Sequence, residues 1–262
     1  MTDQWKMAKC AWEEKEKIAH SAHPIHTLKT LPKMAGIAPD TKKGLRWKAF
    51  RWMVTRDTEK AVLPRFFHHP FRYGWNYLRS LFRPCSFTRK GDLFFYGIRD
   101  KNELIELYKK ENSLLVVGFS YCQKPMECPS GRFTDKCCHD SNHSVCQQCF
   151  IGKMVHLMPK ERVIPLYIPT VHYIGAKMLE IAQAHPKKEI IFLITACEMT
   201  LTMFADWGNM VGIKGIGVRL DGRICNTMRA FELSEEGIKP GLTVVLPETQ
   251  QELLDLLRDC QA

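Results

Sequence analysis

From about residue 110 onward, apolar runs of strand length alternate with helical stretches, and this alternation limits the fold more tightly than any other feature of the chain. Runs at 114–118, 163–168, 189–196, 214–220 and 242–246 lack regular polar alternation, so each reads as a strand buried on both faces. Helical patterns precede, separate and follow them. One follows the Asp100/Glu103 capping box and carries Leu104, Ile105, Leu107 and Tyr108. Others span 149–157, the stripe Val171, Ile174, Met178 and Ile181, residues 199–207, and a shorter piece after Cys225. A last helix opens at Pro247 and bears Leu253, Leu254, Leu256 and Leu257. Repeated β-α order of this kind predicts an α/β fold, a parallel sheet with helices on both faces.

The 262 residues leave room for one large domain, or for a domain plus an extension. Residues 1–90 hold 19 lysines and arginines against seven acidic residues, whereas residues 91–262 hold 19 against 21. Five of the six tryptophans (Trp5, Trp12, Trp47, Trp52 and Trp75) lie in the basic part. The sequence therefore predicts a basic, mostly helical N-terminal extension over 1–90 and an α/β domain over 91–262, with a boundary near Pro84. Within 1–60 the pattern suggests short helical pieces interrupted at 21–26 and 31–44.

Phe71, Trp75, Leu78 and Phe82, spaced by four, three and four, fall on one helical face beside Arg72, Arg79 and Arg83. Three readings apply, in this order: the stripe packs on the α/β body, it meets a membrane surface as a peripheral contact through 71–83, or it binds nucleic acid. No recognised nucleic-acid motif accompanies it. The most apolar stretch, 190–199, is too short to span a bilayer, and the N-terminus lacks the apolar core of a secretory signal, so a cytoplasmic setting is expected.

Six of eleven cysteines (Cys122, Cys128, Cys137, Cys138, Cys146 and Cys149) fall within 28 residues. In a chain of this size, with an odd cysteine total, such crowding points to thiolates held for a metal rather than to a disulfide framework. Structural zinc sites show two tight cysteine pairs, but here only Cys146 and Cys149 form one. Loosely spaced cysteines, one followed by Pro129, suit an iron–sulfur cluster of the 4Fe-4S type, so iron is favoured over zinc. Cys122, Cys128, Cys146 and Cys149 form the first ligand set, with one of the adjacent Cys137 and Cys138 expected to be spare. His139 and His143 are zinc-ligand candidates whose simpler reading is that of solvated loop residues.

Carboxyl ends of parallel strands open on one edge, where ligands bind. Cys122, Cys197 and Cys225 each follow a predicted strand and so belong to that rim. Cys197 and Cys225 would form a second thiol set, binding another metal or acting as a redox pair, or would simply be small buried residues. Glu198 reads as a first-turn helix acid. Arg219 and Arg223 could neutralise a cluster or an anionic substrate, or could be solvated charges. The stretch Lys214-Gly215-Ile216-Gly217 is too short for a phosphate loop.

The order Cys-x5-Cys-Pro-Ser, then Cys146-x2-Cys149-x-Ile151-Gly152, then Ala196-Cys197-Glu198, then Arg219-Leu220-Asp221-Gly222-Arg223-Ile224-Cys225 resembles the bacterial and archaeal domain of unknown function one-sixteen, over residues 110–235. Carried onto this chain, the family's recurring cysteines match Cys122, Cys128, Cys137 or Cys138, Cys146, Cys149, Cys197 and Cys225. The resemblance implies a metal-thiolate domain, with some relatives membrane-associated, and supplies no reaction. The chain departs from the pattern in the insertion 131–145.

The expected function is thus an iron–sulfur protein with a redox or electron-transfer role and a redox partner protein. The rival is a structural zinc adaptor that docks to a membrane surface or nucleic acid through its basic segment. A cysteine nucleophile at Cys197 has little support, because no local motif places a histidine beside it.

Overall fold

Strands that are apolar on both faces need cover on both, and four such runs pair side by side in parallel at the centre of this protein. The computed structural model describes residues 2–28, 36–57, 60, 62–83 and 86–261. In chain order the first elements are α1 (Thr2–Ala22), α2 (Pro39–Lys42), α3 (Leu45–Thr55), α4 (Leu63–Phe66), α5 (Pro70–Leu81), β1 (Thr88–Lys90), β2 (Leu93–Tyr96), α6 (Lys101–Lys109) and β3 (Ser113–Ser120). A 3₁₀ turn, Tyr121–Gln123, leads through a long loop to α7 (Ser144–Gln147), α8 (Phe150–Leu157), β4 (Val163–Ile168), α9 (Val171–Ala184) and β5 (Glu189–Cys197). The chain ends with α10 (Glu198–Met203), α11 (Ala205–Val211), β6 (Lys214–Gly222), α12 (Met228–Glu235), β7 (Thr243–Val244) and α13 (Pro247–Gln261).

The sheet runs β1-β2-β6-β5-β3-β4, with β7 paired to the end of β6. β6, β5, β3 and β4 are mutually parallel, while β1, β2 and β7 pair antiparallel, so the sheet is mixed and mostly parallel. The all-parallel expectation is corrected by the hairpin over 88–96, which crosses the boundary drawn at residue 90. Its inner strand, Leu93–Tyr96, is buried at every position, and its outer strand, Thr88–Lys90, is exposed and basic, as a protected sheet edge should be. Because β4 lies on one side of β3 and β5 on the other, strand order reverses between β3 and β5. Ligands of open α/β sheets bind outside the carboxyl ends at such a point.

Alternate residues of the central strands enter different apolar clusters. Leu115 and Val117 of β3, Ile191 and Leu193 of β5, and Ile216 and Val218 of β6 join Leu104 of α6, Met154 of α8 and Leu257 of α13. Leu114, Val116 and Phe192 join Met178 and Ile181 of α9. Gly215 permits tight strand contact: a Cβ there would stand 2.1 Å from Phe192 O, so this glycine serves packing in β6.

The basic segment is part of the same packing. Residues 2–22 form one 21-residue helix rather than short pieces, because Trp5, Trp12 and Ala19, each seven apart, are all buried. Trp5 belongs to the cluster of the central strands and its indole donates to Leu157 O at 3.2 Å. Leu45, Ala49, Trp52 and Met53 of α3 pack with Met199, Met203 and Phe231. Burying such a side chain contributes about 1.5–3 kcal/mol. Among the described residues, no helix is long and apolar enough to cross a membrane.

Candidate metal centre

The cysteine loop begins where β3 ends. Ser120 Oγ accepts from Cys122 N at 3.4 Å and starts the 3₁₀ turn, after which Lys124 turns fully inward with no exposed surface. Its ammonium donates to Gly131 O (3.2 Å), Thr134 O (2.9 Å), Thr134 Oγ1 (3.0 Å) and Lys136 O (2.7 Å). The loop is therefore wrapped around a cation. Arg132 fastens the wrapped loop to the body by donating to Lys124 O (3.2 Å), Cys122 O (3.2 Å), Lys239 O (2.8 Å) and Gly241 O (3.0 Å). Two basic side chains thus satisfy backbone carbonyls that no strand or helix pairs. Neither residue stood out in the sequence, where a lysine or arginine inside a polar loop reads as solvated.

Inside this frame Cys128, Cys137, Cys138, Cys146 and Cys149 line one small cavity together with Lys124, His139 and the start of α8. Cys138 Sγ and Cys146 Sγ are 3.5 Å apart. Cys149 is the N-cap residue of α8, and Gly152 one turn later brings that helix against the Cys146 backbone; a Cβ at Gly152 would lie 2.4 Å from Cys146 O. Among the described residues, no aspartate or glutamate lines the cavity. Burial pushes the Cys146 and Cys149 thiols up to about 12 and raises Cys137 as well. For Cys138 burial acts the same way but is outweighed by hydrogen bonds, Ser130 foremost, which hold its thiol below the ordinary value. Burial depresses Lys124, and Cys128, Cys137, Cys149 and, last, Asp135 oppose that shift. Among the described residues, no three His, Cys, Asp or Glu side chains close around a single ion-sized point; the thiols stand around the cavity walls.

The histidines divide. His139 lines the cavity and donates from Nδ1 to Cys137 O at 3.1 Å, whereas His143 caps α7, its Nδ1 accepting from Val145 N at 3.2 Å. Both Cys137 and Cys138 reach the cavity.

Cys122 does not line it. The set Cys122, Cys128, Cys146 and Cys149 is therefore not brought together, because the 3₁₀ turn directs Cys122 toward Lys239 and Cys225 before the loop begins. Cys122, Cys197 and Cys225 instead form a separate, buried group at the carboxyl edge. The Cys197 and Cys225 thiols are within hydrogen-bonding reach of each other; Cys197 Sγ also lies 3.1 Å from Thr200 Oγ1, and Lys239 Nζ donates to Cys225 Sγ at 3.0 Å. The hydrogen bond from Cys197, helped by the Lys239 ammonium, holds Cys225 low, and Cys197 is raised in exchange.

Arg219 is neither solvated nor directed at the thiols. It is 2% exposed and meets Glu198 (3.0 Å), Asp221 (2.8 Å) and Asp92 (3.5 Å). Glu198 also pairs with Arg89 at 2.9 Å, so this first-turn acid of α10 is structural, while Arg223 is exposed. The aromatic stripe of α5 does not pack on the body as first expected: Phe71 is 92% exposed, Trp75 69%, Leu78 49% and Phe82 88%. The opposite face, with Tyr73 and Ser80, is the buried one.

Comparison with family models, with curated proteins and with solved structures gave no match.

Proposed function

We propose that this chain is a metal-thiolate protein whose loop cysteines hold an iron–sulfur centre in a redox or electron-transfer role, in a domain akin to the cysteine-rich family that residues 110–235 resemble. The observation that carries this reading is the meeting of five thiols and one buried ammonium at a single cavity that, among the described residues, no carboxylate lines. Taking an ammonium out of water costs several kcal/mol unless negative charge compensates it. Cys128, Cys137 and Cys149, ahead of Asp135, are the groups whose negative charge favours the Lys124 ammonium, so thiolates bound to metal would supply most of that compensation. A cuboidal cluster takes its four thiolates from separate directions, as cysteines spread around cavity walls can provide. When bound, such a centre supplies one-electron transfer. Lys124 and Arg132 would hold the loop and offset its charge, while Ile151 and the start of α8 keep water away. The parallel strands, covered by helices on both faces, would give the rim a rigid base, and a reducing, cytoplasmic setting suits the free thiols.

Zinc is the second reading. It is favoured by the 3.5 Å separation of Cys138 and Cys146, near the sulfur–sulfur edge of about 3.8 Å that Zn–S bonds of about 2.3 Å impose on a tetrahedron.

Serine substitutions test the ligand assignment. Cys128→Ser and Cys149→Ser should each lose most of the metal, and Cys122→Ser should retain it. Loss of metal from Cys122→Ser, with the other two unaffected, would overturn the cavity as the site.

A further inference from the structure

Helix α5 turns its polar and aromatic contacts inward and its most apolar stripe outward, the reverse of what water alone would select. Its orientation is held by specific bonds: Ser80 Oγ donates to Asp206 Oδ1 at 2.6 Å, Asn209 donates to Ser80 Oγ at 3.0 Å, and Asn76 donates to Met210 O at 3.2 Å. Arg46 adds an ion pair to Asp206 at 3.0 Å and a hydrogen bond to Leu81 O at 3.1 Å. Rolling the helix to bury Phe71, Trp75, Leu78 and Phe82 would break the bonds made by Asn76, Ser80 and Leu81. Phe67, in the turn before α5, is also 68% exposed, which extends the apolar surface.

Charge identifies the occupant. Between Glu59 and Asp92 the sequence has seven lysines and arginines and no acidic residue. Arg72, Arg79 and Arg83 lie beside the stripe, exposed, and no carboxylate pairs with them among the described residues. Large apolar side chains at helical spacing, flanked by arginines, match the boundary between acyl chains and anionic headgroups. Stacking on nucleobases would use the faces of planar rings and has no role for Leu78.

We propose that α5 is a peripheral membrane-docking helix that lies in the plane of an anionic lipid surface, with Phe71, Trp75, Leu78 and Phe82 in the acyl boundary and Arg72, Arg79 and Arg83 on the headgroups. The helix is about 18 Å long, suited to lying on a bilayer rather than crossing it. This docking is independent of the metal centre.

The test uses the full chain and co-sedimentation with vesicles of phosphatidylcholine, with and without phosphatidylglycerol. Binding should require phosphatidylglycerol, weaken with salt, and be accompanied by a blue shift of tryptophan fluorescence that Trp75→Phe diminishes. The triple variant Phe71→Ser, Trp75→Ser, Phe82→Ser should bind at least about tenfold more weakly. Replacing Arg72, Arg79 and Arg83 by Gln should cost on the order of a hundredfold on anionic vesicles. All six side chains are exposed, and circular dichroism with an unchanged thermal midpoint would show that the variants fold. Failure to bind either vesicle, or binding that both triple variants retain, would overturn the proposal. So would concentration-dependent dimerisation or oligonucleotide binding lost in the aromatic triple variant, if vesicle binding is absent.

Discussion

Lys124 donates from a fully buried ammonium to the carbonyl of Lys136 at 2.7 Å, which closes the cysteine loop around a positive charge. The same ammonium reaches Gly131 and Thr134, so one side chain gathers the loop and faces its thiols.

Lys124→Met keeps most of the stem and removes the charge. Several loop carbonyls then lose their donor, at about 1–3 kcal/mol for each group left unsatisfied, offset in part by relief of the buried charge. A net loss of about 2–4 kcal/mol is expected in urea unfolding, with metal content reduced in parallel. Unchanged stability and full metal content would show that the ammonium neither holds the loop nor matters to its thiols.

Gly152→Ala places a methyl group 2.4 Å from Cys146 O, a backbone atom that cannot swing aside. Overpacking of this kind costs about 1–3 kcal/mol and should displace Cys146 from Cys149 and lower metal stoichiometry. Gly208 in α11 is the control: a Cβ there meets nothing within 4 Å, and Gly208→Ala should be neutral or stabilising by up to about 1 kcal/mol.

Arg219 pairs with three carboxylates at the carboxyl end of β6, one of which Arg89 also meets. Arg219→Met would leave buried Asp92 and Asp221 without that cation, a loss of about 3–5 kcal/mol in thermal or denaturant melts. An effect below about 1 kcal/mol would mean that the network is already solvated.

Glu235 gives a pH signature. Its carboxyl is pushed up to about 8, first by burial and then by the neighbouring Cys225, against a hydrogen bond accepted from Val171 N at 2.9 Å. Between its ordinary value of 4.5 and about 8, the folded protein holds a proton that the unfolded chain releases. Stability from this group is therefore fully present below about pH 4.5 and declines as pH rises toward 8. Glu235→Gln should remove that decline, worth at most about 5 kcal/mol across this interval. Identical pH profiles for the two proteins would contradict the assignment.

The central strands were legible in the sequence because residues such as Leu115, Val116 and Val117 are buried whichever way they point, so their runs have no polar interruption. The hairpin over 88–96 was missed: only its inner strand is buried, and Leu93–Tyr96 is a short aromatic run without alternation. The long first helix was written in the spacing of Trp5, Trp12 and Ala19, but its surface positions are so strongly charged that the stripe is narrow. Cysteine crowding announced the loop, yet not which thiols meet. That choice is made by a three-residue turn at Tyr121–Gln123 and by Lys124 and Arg132, whose inward paths depend on carbonyl positions far along the loop. Arg219 was unreadable for the same reason, since its partners Asp92 and Glu198 come from distant strand and helix ends.

The most direct test is iron, sulfide and zinc analysis, with a visible spectrum, on full-length protein purified without oxygen. An iron–sulfur centre in the loop should give a brown protein with broad visible absorption and matched iron and acid-labile sulfide, bleached by Cys149→Ser. A colourless preparation with stoichiometric zinc would contradict the redox reading, and a metal-free one would contradict the centre itself.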